Sequence, residues 1–200
     1  MKRVILILLC VLPVLASAQV VTSVGVTANV SEQKVVTETT AIYENATAYA
    51  YNEINPQGYW YGQYFVERKW WESPIYLHAE YRGTIFSSDH QQTVLLGAAW
   101  CYYGENGYCA LEPLAAWKQY LGFGAQLSFV GGWNWNTVEL QHYTDVLKTT
   151  RMTYVLDIYN EVRAYYRVYE ALSLGVIGTM YSATGELLSC GLFAAAKYTF

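Results

Sequence analysis

Apolar and polar residues alternate with period two along much of the chain, and no long stripe of period 3.6 stands out. The clearest stretch is Pro74–Gly83, with Ile75, Leu77, Ala79 and Tyr81 on one face and Tyr76, His78, Glu80 and Arg82 on the other. Arg151–Arg163 repeats it: Met152, Tyr154, Leu156 and Ile158 share a face, opposite Arg151, Thr153, Asp157, Glu161 and Arg163. Phe123–Trp133 sets Phe123, Ala125, Leu127, Phe129 and Trp133 against Gln126 and Ser128. Thr137–Asp145 sets Val138 and Leu140 against Glu139, Gln141 and Tyr143, with His142 on the apolar face. A final strand carries Leu192, Ala194, Ala196, Tyr198 and Phe200 on its apolar face and Lys197 and Thr199 on the other.

Turn signals separate these segments at Glu44-Asn45, Asn55–Gly58, Glu72–Pro74, Ser87–His90, Gly104–Gly107, Asn134–Asn136, Lys148–Thr150 and Thr184–Glu186. Weaker breaks fall near Ser31–Gln33, Tyr120–Gly122 and Ala164–Val168. Together they predict about twelve strands; ten remains compatible, because Val20–Tyr51 alternates poorly. No connection is long enough to form a plug.

The first eighteen residues read differently. Lys2 and Arg3 precede the unbroken apolar run Val4–Leu12, Pro13 follows, and Ala16-Ser17-Ala18 supplies a small-x-small cleavage site. This predicts a secretory signal peptide over 1–18, cut before Gln19, and one barrel domain over 19–200. The next longest apolar stretch, Thr93–Tyr103, is far short of the ~20 residues of a membrane-spanning helix. Yet 54% of the chain is apolar and only 14% charged. Tyrosines number 20 and tryptophans 7 against 6 phenylalanines, a bias toward rings with a polar tip that suits an oil–water boundary.

An all-β, antiparallel, up-and-down transmembrane barrel reconciles export with this composition, since each strand needs only ~9–11 residues and one apolar face. A Lys or Arg facing lipid at mid-membrane costs about 2–4 kcal/mol, so the charged positions are expected to point inward. A terminal Phe with an aromatic two residues before it, here Tyr198 and Phe200, is the pattern expected of a closing strand read by the barrel-assembly machinery. Most of the seven tryptophans lie near expected strand ends, which fits interfacial girdles. The net charge of −4 offers no basic patch for nucleic acid.

The stretch Phe65-Val66-Glu67-Arg68-Lys69-Trp70-Trp71-Glu72-Ser73-Pro74-Ile75-Tyr76-Leu77-His78-Ala79-Glu80-Tyr81-Arg82-Gly83 resembles a segment of uncharacterised Gram-negative outer-membrane proteins grouped with the Tsx-type nucleoside-specific channels. Val94-Leu95-Leu96-Gly97-Ala98 and Lys197-Tyr198-Thr199-Phe200 also fit. The resemblance implies twelve strands, a location in the outer membrane and, by analogy, passage of nucleosides.

The expected lumen set is Tyr76, His78, Glu80, Arg82, Glu139, Gln141, Tyr143, Asp157, Tyr159, Glu161 and Arg163. As a site, tyrosine rings stack on a base or sugar while carboxylates and arginines pair with hydroxyls or ring nitrogens. The expected function is a passive channel for small hydrophilic solutes such as nucleosides. The alternatives are a non-conducting barrel filled by its own side chains and a barrel hydrolase. No Gly-x-Ser-x-Gly setting occurs, and no enzyme activity is expected. Neither cofactor nor metal is expected, since no His or Cys pair has ligand spacing on one face. Cys101 and Cys109 flank a hairpin turn; with Tyr103 opposite Tyr108, their sulfurs point to opposite faces and free thiols are expected, a disulfide across a bulge being the alternative.

Overall fold

The computed structural model describes residues 19–28, 33–86, 89–152, 156–183 and 186–200. The expected signal peptide lies outside the described residues. The remainder forms twelve strands: β1 (Gln19–Ala28), β2 (Gln33–Tyr43), β3 (Ala46–Ile54), β4 (Trp60–Lys69), β5 (Ile75–Phe86), β6 (Asp89–Gly104), β7 (Gly107–Lys118), β8 (Gly122–Trp135), β9 (Val138–Thr149), β10 (Asp157–Arg167), β11 (Leu172–Ala183) and β12 (Glu186–Thr199). Each pairs antiparallel with its sequence neighbours, and β1 pairs with β12 to close the barrel. Closure pairs Ser23–Ala28 with Ala194–Thr199, so the backbone of both terminal strands is hydrogen-bonded there, as strands in lipid require. The last amide, Phe200 N–H, donates to Thr22 O at 2.9 Å across that seam.

Side chains alternate as the pleat requires. On β5, Leu77, Tyr81 and Ile85 are exposed on the outer wall while His78 and Glu80 are buried within. On the outer wall of β4 and β5, Trp60 and Tyr64 lie over Gly62: a Cβ there would meet Trp60 at 2.4 Å and Tyr64 at 2.9 Å. The missing side chain is what seats the rings. Exposed aromatics gather toward the two ends, among them Trp70, Trp71, Trp135, Tyr169 and Phe200 at the end that holds the C-terminus, called here the proximal end, and Trp117, Tyr120 and Phe123 at the distal end.

The hairpin β6–β7 has the expected register, with Tyr103 opposite Tyr108, Cys101 opposite Ala110 and Tyr102 opposite Cys109. Cys101, Cys109 and Cys190 are free.

Two expectations need correction. The strand expected over Arg151–Arg163 begins only at Asp157 and runs on to Arg167, so the break expected at Ala164–Val168 moves to the turn after Arg167. Met152 is therefore not a lipid-facing strand residue. It sits in the distal connection, buried in a cluster with Leu95, Leu114, Ala116 and Leu147, against which Leu121 also packs. These strand residues share the inner face, so the connection is tied to the interior by the apolar surface it buries, at about 25 cal/mol per Å². The residues after it, 153–155, lie outside the described residues, as do those at two expected turns, 87–88 and 184–185.

Candidate functional site: an ionic belt across the lumen

The interior is divided between apolar and ionic arcs. Leu95, Ala99, Leu114 and Ala116 line the inner wall of β6 and β7, and Tyr165, Ile177, Phe193 and Ala195 form a second apolar cluster on β10–β12. Between them, charged side chains reach across the barrel.

Arg163, on β10, is the centre of one group. Its Nε donates to Glu161 Oε1 at 2.5 Å, and its Nη1 donates to Glu38 Oε1 on β2. The guanidinium lies over the rings of Tyr51 and Tyr143, at 5.3 and 5.0 Å. Tyr159 OH donates to Glu161 Oε2 at 2.5 Å, and Tyr49 OH to Glu38 Oε1 at 3.4 Å. Arg163, with one guanidinium satisfying a carboxylate on its own strand and another on β2, is 7% exposed.

Arg82, on β5, anchors the second group. Its Nε donates to Glu80 Oε1, and its Nη1 crosses to Asp145 Oδ2 on β9 at 2.5 Å. Gln63 Nε2 donates to the same Glu80 oxygen at 2.6 Å. His78 lies between two carboxylates, its Nδ1 at 2.9 Å from Glu67 and its Nε2 at 3.1 Å from Glu80. The ring of Phe65 stacks on it at 5.3 Å.

A third bridge joins Lys197 of β12 to Glu139 of β9 at 2.8 Å, with Gln141 Nε2 donating to Glu139 Oε1 at 2.6 Å and Tyr143 OH to Gln141 Oε1 at 3.4 Å. Nearer the distal end, Lys34 meets Glu53 at 2.8 Å and Lys118 meets Asp157 at 3.6 Å. Buried charges are tolerated when each finds a partner, and these strands supply one for almost every member.

Every residue of the expected lumen set lies on the inner face. The belt unites His78, Glu80, Arg82, Glu139, Gln141, Tyr143, Tyr159, Glu161 and Arg163. Tyr76 stands apart beside Tyr103, at 6.3 Å between ring centres, and Asp157 belongs to the distal pair with Lys118. Sequence reasoning missed Glu38, Tyr49, Tyr51, Gln63, Glu67, Glu112 and Asp145. Alternation in β2 was the available signal for Glu38: Lys34, Val36, Glu38 and Thr40 share a face, but valine and threonine on both faces hide it.

A cavity of about 20 Å³ remains beside Glu38, Tyr51, Arg163 and Lys197. Of the histidines, His142 faces outward and meets Thr144 Oγ1 at 3.0 Å, and His90 is exposed. Among the described residues no serine hydroxyl is hydrogen-bonded to a histidine ring.

No family model matches the chain, and no curated protein does. Its fold is similar to solved porins. A KdgM porin in complex with disordered oligogalacturonate aligns with TM-score 0.59 and 10% identity over 90% of this chain and 99% of that one. A NanC porin aligns with TM-score 0.61 and 7% identity, over 90% and 98% of the two chains. At such identities the likeness concerns the fold: a closed antiparallel barrel of twelve strands, as in these porins.

Proposed function

We propose that this chain is an outer-membrane channel of low conductance that passes small hydrophilic solutes passively, with the ionic belt as its constriction. The observation that carries the reading is the chain of cross-lumen bridges, Arg163–Glu38, Arg82–Asp145 and Lys197–Glu139, set inside a barrel whose outer wall is apolar. A filler needs only volume, which leucine and phenylalanine supply without the several kcal/mol of desolvation each buried ion requires. Charged groups that exchange partners give a permeating ion or sugar a series of weak stations from which it can leave.

Carboxylates outnumber basic groups in this lumen: Glu38, Glu53, Glu67, Glu80, Glu112, Glu139, Asp145, Asp157 and Glu161 against Lys34, His78, Arg82, Lys118, Arg163 and Lys197. Oligogalacturonate, the polyanion held by the KdgM porin, meets the wrong sign here. Neutral and cationic solutes fit better. Nucleosides stay in this class because Tyr49, Tyr51, Tyr143 and Tyr159 offer stacking faces beside carboxylates, although seating one requires the belt to open first. The chain acts as a conduit and not as a catalyst, and its partners are outer-membrane lipid and the barrel-assembly machinery. For the latter, Tyr198 and Phe200 stand on the outer wall next to the closing seam, their rings 4.9 Å apart.

The filled, non-conducting barrel is the second reading, favoured by the small size, about 20 Å³, of the cavity beside Glu38, Tyr51, Arg163 and Lys197. Planar-bilayer recording of refolded protein separates the two. A small, cation-selective current is expected, with a larger one from Arg163→Ala. Silence from both proteins overturns the channel. Nucleoside added to one side should reduce the current reversibly; an unchanged current removes nucleosides from the solute class.

A further inference from the structure

One buried carboxylate stands outside the belt's ion pairing. Glu112, on β7, is 7% exposed, yet no hydrogen bond or ion pair satisfies it among the described residues. It is not isolated. One of its oxygens, one Glu67 oxygen and a His78 ring nitrogen all lie within 4.8 Å of one another. Three strands supply them, β4, β5 and β7. The intervening strand, β6, places Gly97 opposite His78 and Ala99 opposite Tyr76, so no bulky side chain of β6 separates Glu112 from the imidazole.

From this geometry we infer that Glu67, His78 and Glu112 form a binding site for a first-row divalent cation of the zinc type. One imidazole nitrogen and two carboxylate oxygens are a donor set that suits such an ion better than calcium or magnesium, which favour all-oxygen shells. Three protein ligands leave a further coordination position for water or a passing solute.

The surroundings are already those of a metal ligand. His78 Nε2 faces Glu80 Oε2 at 3.1 Å, the carboxylate–histidine contact that orients a ring whose other nitrogen binds metal. Glu80 is itself held by Gln63 and Arg82, and Phe65 stacks on the imidazole. Without metal both ring nitrogens face carboxylates, so both carry protons. On binding, the Nδ1 proton leaves to solvent as the nitrogen–metal bond forms. Glu67 turns its oxygen from that proton to the ion, and Glu112 gains its missing partner.

The test needs no conduction and is independent of the channel reading. Tag-free mature protein, folded in detergent, is titrated with zinc chloride in a calorimeter, in buffers of differing ionisation enthalpy. One saturable site is expected, with release of the Nδ1 proton and of any proton that Glu112 holds before its oxygen turns to the ion. Glu112→Gln and Glu67→Gln, each confirmed as folded by its heat-modifiable gel mobility, should weaken binding roughly tenfold or more, by analogy with the loss of metal-site partners. Glu170→Gln, in the exposed turn between β10 and β11, should bind as the parent does. Absence of a saturable site, or equal affinity in the Glu112 and Glu67 variants, overturns the inference. Should those variants fail to fold, X-ray absorption at the zinc edge of the parent protein decides: a shell of nitrogen and oxygen with one imidazole supports the site, and an all-oxygen or sulfur shell overturns it.

Discussion

Strands β5 and β6 are hydrogen-bonded neighbours with similar outer faces and opposite inner ones. Outside, Leu77, Tyr81 and Ile85 stand beside Leu96, Trp100 and Tyr102, all exposed to the surroundings of the barrel. Inside, Glu80 is paired directly with Leu95. Both are buried, the glutamate at 4% exposure and the leucine at 0%. The same depth in one lumen thus holds an ion held by three hydrogen-bonding partners and an aliphatic chain packed against Leu114 and Met152. The lesson is that this interior is not a uniform watery tube. Charges collect where the opposite wall offers a counter-charge within ~3 Å, because an unpaired buried charge costs several kcal/mol. The apolar cluster around Leu95 lies where a connection folds inward to cover it.

Breaking either arc should cost stability for different reasons. The largest effect is expected from Arg163→Ala, which strips both Glu38 and Glu161 of their cation. A loss of about 3–5 kcal/mol is expected in urea unfolding of the detergent-folded barrel. A variant as stable as the parent shows that water reaches the belt freely. On the apolar arc, Leu95→Ala removes a fully buried side chain and should cost about 2–5 kcal/mol in the same assay, with little change in current. A gain in conductance equal to that of Arg163→Ala contradicts the division into two arcs.

The contrast between faces is sharpened by moving a charge one residue along β10. Val162 faces outward, beside inward Arg163. Val162 stands midway along β10, so Val162→Arg should cost about 2–4 kcal/mol in lipid. A neutral outcome in lipid vesicles sinks the assignment of that wall to the membrane interior. The smallest of these effects is expected from Arg82→Lys. It keeps the charge but cannot span Glu80 and Asp145 with a fork, and it should lose about 1.5–3 kcal/mol, one charge-assisted hydrogen bond. If it behaves as the parent, the Asp145 bridge contributes nothing.

Much of the architecture was legible before the structure. Strong alternation in β5, β8, β9 and β12 gave strand and facing together, and the turn residues gave the count. The expectation weakened where the pattern did. In β2, valines and threonines occupy both faces and hide Glu38; in β6, Leu95 and Leu96 are both apolar though one faces in and one out. At Met152 the alternation begins before the strand does, because a connection that folds back over an apolar cluster needs the same kind of residue as a lipid-facing position.

The candidate site divides in the same way. That His78, Glu80, Arg82, Glu161 and Arg163 point inward follows from period two alone. Who meets whom does not. Arg163 and Glu38 are 125 positions apart and Arg82 and Asp145 are 63 apart, and each pair is joined only by closure of the barrel. Spacing along the chain likewise offered no metal site, because Glu67, His78 and Glu112 come from three strands. The sequence by itself determined the two faces of each strand, since alternation is a local property of extended backbone. Only the tertiary structure decided which inward groups are partners, because that depends on the curvature that brings distant walls within reach of one another.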